Sequence, residues 1–340
     1  VPKPTGHPMN KTTRVVVTLV AWTVAVPHLV AREPIDIGAR RELFFDRHLI
    51  DKLDGAELRL QRPVDAGSVI KFDLPWEGRF SGYCTVLFDE GRYRLYYRGK
   101  PSVGEDGAND ECTCYAESDD GIHWTKPLFD LHPTAAGEKT NRLLAGDGKF
   151  MHNFSPFIDG NPNTKPDQRY NAIGGTDKSG LIGYVSADGI HWQKIRQEPV
   201  FTAEGWVFDS QNVCFWSEVT GQYELYYRVV PDGVRAIAHA SSDDFVNWSE
   251  PTVMTYSDTG NTQPSCHLYT NQTHPYFRAP HMRLATAARF MPGRRVVTDQ
   301  QAAQVGALAK YAGDSSDAVL LTTRGNNRYD RTFLGALIRP

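Results

Sequence analysis

The sequence predicts an all-β chain, a five-bladed β-propeller whose last blade is incomplete. Three observations predict it. The string Ser-Asp-Asp-Gly-Ile-His-Trp at 118–124 returns as Ser-Ala-Asp-Gly-Ile-His-Trp at 186–192, and more loosely as Ser-Asp-Asp-Phe-Val-Asn-Trp at 242–248. A second string, Tyr-x-Leu-Tyr-Tyr-Arg, occurs at 93–98 and again at 223–228. The chain also holds 29 Gly and 21 Pro, the punctuation of a turn-rich β protein, and long helical periodicity is hard to find.

Each copy of the first string follows a strand-like run, at 112–117, 181–185 and 235–240. Asp-Gly after such a run signals a tight turn, because Gly takes the positive φ the turn requires. Trp124, Trp192 and Trp248 then open the next strand, each with a large apolar face to bury. A strand–turn–strand unit recurring at this scale reads as propeller blades.

The bulk properties agree. Of 340 residues, 40% are hydrophobic and 11% aromatic, enough for one large buried core. The net charge of −3 is made of interspersed signs. There is no basic stripe for nucleic acid and no acidic tail for a charge-driven partner. The five cysteines are Cys84, Cys112, Cys114, Cys214 and Cys266. An odd number in a chain this long is no disulfide framework, and Cys112-x-Cys114 lacks a second ligand pair for zinc. The cysteines read as core residues.

The chain opens with a targeting pattern. Lys11 and Arg14 follow Met9, residues 15–26 are apolar, and Ala25 and Ala31 are small enough to precede cleavage. The apolar run is short for a membrane span, and Pro27 and His28 follow it. Residues 1–32 therefore read as a signal peptide with an upstream extension. Residues 33–340 read as the propeller domain, C-terminally truncated. The expected location is secreted or periplasmic, with no membrane span after cleavage.

The elements follow in order. Residues 43–50 and 57–61 are expected as strands of a lead-in that packs on, or completes, the last blade and hides its edge. Blade one spans about 76–130, with strands at 83–88, 93–98 and 112–117. Its polar loop at 101–111 is long enough to form a pocket rim. Blade two spans about 150–200, from an inner strand at 153–158. Blade three spans about 206–255, from an inner strand at 213–216. Blade four is less regular, with strands expected at 281–288 and 318–322. Between them, 299–311 reads as a short helix or a loop.

Inner strands surround the axis, so residues at or just before them can converge. These are Glu77, His152 with Asn153, Asp209, and His281 with Arg278. Glu77 and Asp209 sit among bulky aromatics. Two carboxylates facing one cavity are the apparatus of glycosidic hydrolysis: one protonates the leaving oxygen, the other attacks the anomeric carbon or activates water. The bland alternatives are an ion pair for Glu77 and a turn cap for Asp209. Asp159 is a competing acid, although Ile-Asp-Gly-Asn-Pro favours a turn. Asp46 and Asp51 reach the funnel only if the lead-in joins the inner ring. Gln211, Trp76, Phe80 and Trp206 complete the candidate sugar contacts, plain packing being the alternative for the aromatics.

These strings, with Phe-Asp-Ser-Gln-Asn at 208–212 and Phe-Arg-Ala-Pro-His at 277–281, resemble the five-bladed glycosidase superfamily of secreted bacterial proteins, which includes glycoside hydrolase families 32, 43, 62, 68 and 117. The resemblance covers roughly 40–339. It implies an acid on the inner strand of blade one and another on that of blade three, and Glu77 and Asp209 occupy the matching places. The chain departs from the pattern elsewhere. The blade-two place that usually holds Asp reads His152-Asn153-Phe154, and the Asn-Asp-Pro-Asn, Arg-Asp-Pro and Glu-Cys strings of family 32 are missing. The turn motif is one residue short of the sialidase Asp-box, which argues against a sialidase.

The expected activity is a secreted glycoside hydrolase acting on an oligo- or polysaccharide. The alternatives are a non-catalytic carbohydrate-binding propeller and a glycoside phosphorylase, for which Arg278, His281 and Arg283 would form the phosphate cluster. No cofactor is implied; a structural Ca2+ ion is compatible with the sequence.

Overall fold

The structure is a computed structural model that describes residues 1–3, 6, 34–102 and 104–339. The chain divides into two compact units, Val1–Gly38 and Ala39–Pro340. The signal-peptide reading of 1–32 falls almost wholly outside the described residues. Among the described residues, no helix is long and apolar enough to cross a membrane.

Unit two is all-β. Blade one holds strands β1 (Gly82–Asp89), β2 (Arg92–Gly99), β3 (Cys112–Ser118) and β4 (Arg142–Ala145), paired in that order. After the short helix α1 (Gly148–Met151) comes blade two: β5 (Ser155–Ile158), β6 (Tyr170–Thr176), β7 (Gly180–Ser186) and β8 (Gln193–Lys194). Blade three holds β9 (Val213–Ser217), β10 (Gln222–Val229), β11 (Ala236–Ser242) and β12 (Thr252–Val253). A short strand β13 (Thr255–Tyr256) leads to blade four. There, β14 (His267–Asn271) and β15 (His274–Tyr276) both pair with the long β16 (Ala279–Met291), which pairs with β17 (Ser315–Thr323). Strand β18 (Arg328–Tyr329) pairs parallel with β13, and β19 (Ala336–Ile338) closes the edge of β17.

The result is a four-bladed β-propeller, which corrects the five-bladed expectation. Two features account for the miscount. The last segment completes one five-stranded sheet instead of leaving one blade short and beginning another. The lead-in forms no strand at 43–50 or 57–61. Residues 57–61 are mostly exposed and pair with no strand, so their alternating pattern has no sheet face to fill. The lead-in instead clamps blade four by charge. Arg324 bonds Glu42 at 3.0 Å and Asp46 at 2.9 Å, and His281 Nε2 lies 2.9 Å from Glu42.

The repeated turn motif explains how the blades stack. Ser118 Oγ accepts the Gly121 N–H at 2.9 Å, and Asp120 Oδ1 accepts the Ile122 and His123 N–H groups at 2.8 Å. Ser186 and Asp188 repeat this pattern, and Asp244 makes the matching two bonds to Val246 and Asn247. Gly189 takes φ +75°, and a Cβ there would lie 2.6 Å from the Tyr96 hydroxyl. That close approach lets Tyr96 donate to the Gly189 carbonyl at 3.0 Å and Arg94 to the Asp188 carbonyl at 2.8 Å. The blade-two turn is thus a latch onto blade one. In blade three Phe245 replaces Gly at φ +65°, and its buried ring packs on Phe157 of blade two. The aromatic burial offsets a backbone strain of about 1 kcal/mol. The tryptophans precede the fourth strands instead of opening them: Trp124 and Trp192 donate back to Gly121 and Gly189.

Blades three and four are also joined by a buried ion pair, Arg283 with Glu224, both almost wholly inaccessible. All five cysteines are free. Cys112, Cys114 and Cys214 are core residues as expected; Cys84 is exposed.

Candidate active site

The starts of the inner strands do converge. Strand β5 packs beside both β1 and β9, and β15 packs beside β9. Non-glycine residues with left-handed backbone mark these starts: Tyr83 (φ 51°), Asn153 (φ 51°) and Phe208 (φ 61°). Such strain persists only where surrounding contacts impose it. Here it turns the adjoining His152 and Asp209 toward one cavity of about 220 Å3, which Asp106, Asp177, Lys178 and Trp206 also line.

Asp106 comes from the polar loop after β2, the expected rim. Ligand atoms of Asp106, His152 and Asp209 all lie within 4.8 Å of one another. The two carboxylates differ in state. Asp106 is half exposed, and partial desolvation with the like charge of the neighbouring Asp209 raises its pKa, with Arg98 opposing. For Asp209 burial also acts upward, but the Arg228 guanidinium outweighs it and holds the group below the ordinary carboxylate range. Arg228 is 2.8 Å from Asp209.

His152 is oriented from behind. Its Nδ1 lies 2.9 Å from Glu111, and both side chains are 1% exposed. Burial would raise the Glu111 pKa, yet the His152 contact lowers it below its usual value. Asn153 Nδ2 lies 2.8 Å from His152 Nε2 and donates to the Ser210 carbonyl at 2.9 Å. Its Oδ1 accepts from Arg98 at 3.1 Å. This network makes Nε2 an acceptor and places the imidazole proton on Nδ1. Asp106, His152 and Asp209 have the donor set of a divalent cation site. However, the single lone pair on Nε2 already takes the Asn153 N–H, so metal ligation there requires that amide to turn.

The remaining expected residues divide. Trp206 lines the cavity and is half exposed. Gln211 is buried, donates to Thr85 Oγ1 at 2.6 Å and accepts from Gln272, tying blades one, three and four together. Glu77 has no exposed surface and is not among the residues lining the cavity. Its carboxylate accepts from the Leu74 N–H at 2.9 Å, from the Tyr97 hydroxyl, and from Lys126 at 2.8 Å. Trp76 donates to Asn141 at 2.7 Å and packs against the blade-one core that includes Tyr97. Asp159 accepts from Asn171 and Tyr223, both at 2.7 Å, and from the Asn161 N–H at 2.9 Å, which makes it a turn and inter-blade bridge. Asp46 binds Arg324, and Asp51 lies on an exposed bend.

Arg278, His281 and Arg283 do not form a cluster. Arg278 lies over the exposed Phe277 ring, His281 meets Glu42, and Arg283 is bound to Glu224. His281 and Arg283 sit on β16, the central strand of its sheet and not an inner one.

Sequence reasoning missed Asp106, Glu111, Arg98 and Arg228. A signal existed for two: Arg98 and Arg228 end the two copies of Tyr-x-Leu-Tyr-Tyr-Arg. A second strand returns to the start of the antiparallel inner strand, so its last residue arrives at the funnel. Among the described residues, the larger cavity on blade four, lined by Arg289, Arg294 and Arg339, has Asp317 as its one carboxylate, already bound to Arg289.

No protein-family model matches the sequence. No curated protein matches it either. Among solved structures, the chain is similar to the putative glycoside hydrolase of Parabacteroides distasonis ATCC 8503, at 16% identity over 82% of this chain and 83% of that one, with a TM-score of 0.50. It is also similar to an N-acetylgalactosamine deacetylase from F. plautii in complex with blood group B trisaccharide (12% identity, 73% of each chain, TM-score 0.46). A third likeness is to fructofuranosidase from Schwanniomyces occidentalis complexed with fructose (14% identity, 72% of this chain and 45% of that one, TM-score 0.43). At these identities the likeness is one of fold. The expected five-bladed architecture does not hold, because the described residues form four blade sheets beside the two-stranded β13–β18 pair. The chain is an all-β, four-bladed propeller whose fold resembles that of the putative glycoside hydrolase from Parabacteroides distasonis.

Proposed function

We propose that this chain is a glycoside hydrolase whose catalytic pair is Asp106 and Asp209. One observation carries the proposal: two carboxylates in one cavity, within 4.8 Å, with pKa values driven in opposite directions. That divergence assigns roles. Asp106, raised, is the general acid; Asp209, lowered by Arg228, is the carboxylate. The glycosidic oxygen of a sugar bound between the two carboxylates would take the Asp106 proton.

The separation bears on stereochemistry. Inverting pairs stand about 6.5–9.5 Å apart to admit a water, retaining pairs about 5–5.5 Å. Ligand atoms within 4.8 Å leave no room for the water of an inverting pair, so the double displacement is the route proposed. Asp209 attacks the anomeric carbon as the bond to the leaving oxygen breaks, and that oxygen takes the Asp106 proton. Asp106 then draws a proton from water, whose oxygen attacks the same carbon and releases Asp209. Trp206 offers a face on which a sugar ring stacks.

The test is hydrolysis of aryl glycosides and polysaccharides by Asp106→Asn and Asp209→Asn variants. A loss of about a thousandfold or more in each, with wild-type melting temperature, is expected for removal of an acid or a nucleophile. Undiminished turnover in both would sink the proposal and leave a carbohydrate-binding propeller as the better account.

A further inference from the structure

The cavity on blade four shares no lining residue with that of the carboxylate pair, and its volume is about 420 Å3. The ladder between β16 and β17 builds one wall. Arg289 stands opposite Asp317 there, and Met291 opposite Ser315. Strand alternation puts these four on the face that, further along, buries Ala285, Ala287, Val319 and Leu321 against blade three. Past that core the same face turns polar. Arg294 comes from the loop after β16, and Arg339 directly follows β19. Arg289 is already engaged: its Nε donates to Asp317 at 2.8 Å and its Nη1 to the Leu334 carbonyl at 3.0 Å. Arg294 and Arg339 are exposed, and among the described residues neither has a carboxylate within ion-pair distance. Arg294 Nη1 rests 2.8 Å from the Met291 sulfur, a weak acceptor. Ser315 lines the same cavity, is 8% exposed, and its hydroxyl has no hydrogen-bond partner.

Three guanidiniums and one carboxylate line this cavity, an excess of two positive charges. A donor shielded from water and left without an acceptor is disfavoured, so the Ser315 hydroxyl marks a place for a further partner. The excess charge selects that partner. An oxyanion accepts from guanidinium forks and from a hydroxyl at once, and it offsets the surplus charge. The overall net charge is −3, so attraction for an anion is local to this face. The cavity has the size of a small-ligand site and more room than a bare ion needs. Met291, Val296 and Val297 supply an apolar wall beside the arginines. A ring that carries the anionic group suits that division.

We infer that the blade-four cavity binds an organic oxyanion, a sulfate, phosphate or carboxylate group borne on a sugar-sized ring. Arg294, Arg339 and Ser315 hold the anionic group, and Arg294 leaves the Met291 sulfur to do so. The three groups share the chemistry, a compact oxyanion that accepts paired N–H bonds. The site is independent of the hydrolytic reading of the axial cavity.

Calorimetric titration of the full chain decides it. The probes are glucose 6-sulfate, glucose 6-phosphate and glucuronate, with glucose, inorganic sulfate and inorganic phosphate as references. At least one charged sugar is expected to bind tenfold or more tighter than every reference, and the one that does so identifies the group. Arg294→Gln combined with Arg339→Gln is expected to weaken that binding tenfold or more, and Ser315→Ala threefold or more. If no charged sugar outbinds glucose, or an inorganic ion binds as tightly as the best of them, the inference is overturned. Unchanged affinity in either folded variant also overturns it. Should the double variant melt below the assay temperature, Arg294→Gln alone decides, with a threefold or greater loss expected and unchanged affinity overturning the inference. Asp106→Asn and Asp209→Asn are expected to bind the same probe as the wild type does. A tenfold change in either would seat the probe in the axial cavity and overturn the blade-four site, whereas loss of turnover in those two variants bears on the hydrolase proposal alone.

Discussion

Arg228 stands 2.8 Å from Asp209 at the wall of the cavity that Asp106 also lines. That contact separates the two acids, since it holds Asp209 down while burial and Asp209 itself hold Asp106 up.

A bell-shaped pH profile is the first consequence. On the proposed roles, activity requires Asp209 ionised and Asp106 protonated. The acid limb should lie below the ordinary carboxylate range and the alkaline limb above it. Replacing Arg228 by Gln removes the charge that lowers Asp209, so the acid limb should move to higher pH and kcat should fall. Measurement of kcat/KM between pH 3 and 8 checks both, and an acid limb that stays put would remove Arg228 from this role.

The Glu111–His152 pair predicts pH-dependent stability. The folded-state pKa of Glu111 is depressed, so its contribution is present above the unfolded glutamate value and is lost as pH falls through the lower folded value. Glu111→Gln should cost about 2 kcal/mol at neutral pH and flatten the acid side of the stability curve. Urea melts at pH 3, 5 and 7 give the comparison.

Glu77 predicts a stability effect separate from chemistry. Its carboxylate lies within 2.8 Å of Lys126 and has no exposed surface. Glu77→Gln should destabilise the chain by about 3 kcal/mol, because Lys126 loses its buried partner. The folded fraction should retain turnover. A variant that is fully stable and inactive would instead make Glu77 the blade-one acid.

Across the joint between blades three and four, Glu224→Gln should cost about 3–5 kcal/mol by leaving the Arg283 charge unpaired and buried. The pair Glu224→Leu with Arg283→Met should recover most of it. Thermal melts of the three variants show whether the coupling is present.

The turn latch is sensitive to acid as well. Burial acts upward on Asp188, but the N–H groups of His191 and Ile190 and the His191 ring lower its pKa to about 2. Its stabilisation is present above the unfolded value near 3.9 and disappears as pH falls through about 2. Asp188→Asn should lower the melting temperature at pH 6 and make little difference at pH 1.5.

Much of the fold was legible in the chain itself. The Asp-Gly turns and the Tyr-x-Leu-Tyr-Tyr-Arg strands are local patterns, and local patterns report strand and turn because dihedral preference and side-chain alternation act over a few residues. Between helix and loop for 299–311, the structure forms a helix at Asp299–Gln304, capped by reciprocal bonds of Thr298 and Gln301. Asp209 and the His152-Asn153 pair were legible for a related reason: they directly precede short inner strands, whose starts can only lie near the axis.

What the sequence by itself determined is the all-β class, the blade hairpins and the side of each hairpin that faces the centre. The number of blades and the partner of Asp209 were decided by tertiary structure. The lead-in alternates like a strand but finds no edge to pair with, so it became a charged strap on blade four. Glu77 and Asp106 are both acids beside blade-one strands. One is buried against Tyr97 and Lys126, and the other was carried by a ten-residue-scale loop across to blade two. Which of two such acids meets a third from another blade depends on loop path and sheet packing, and these are set by contacts between residues far apart in the chain.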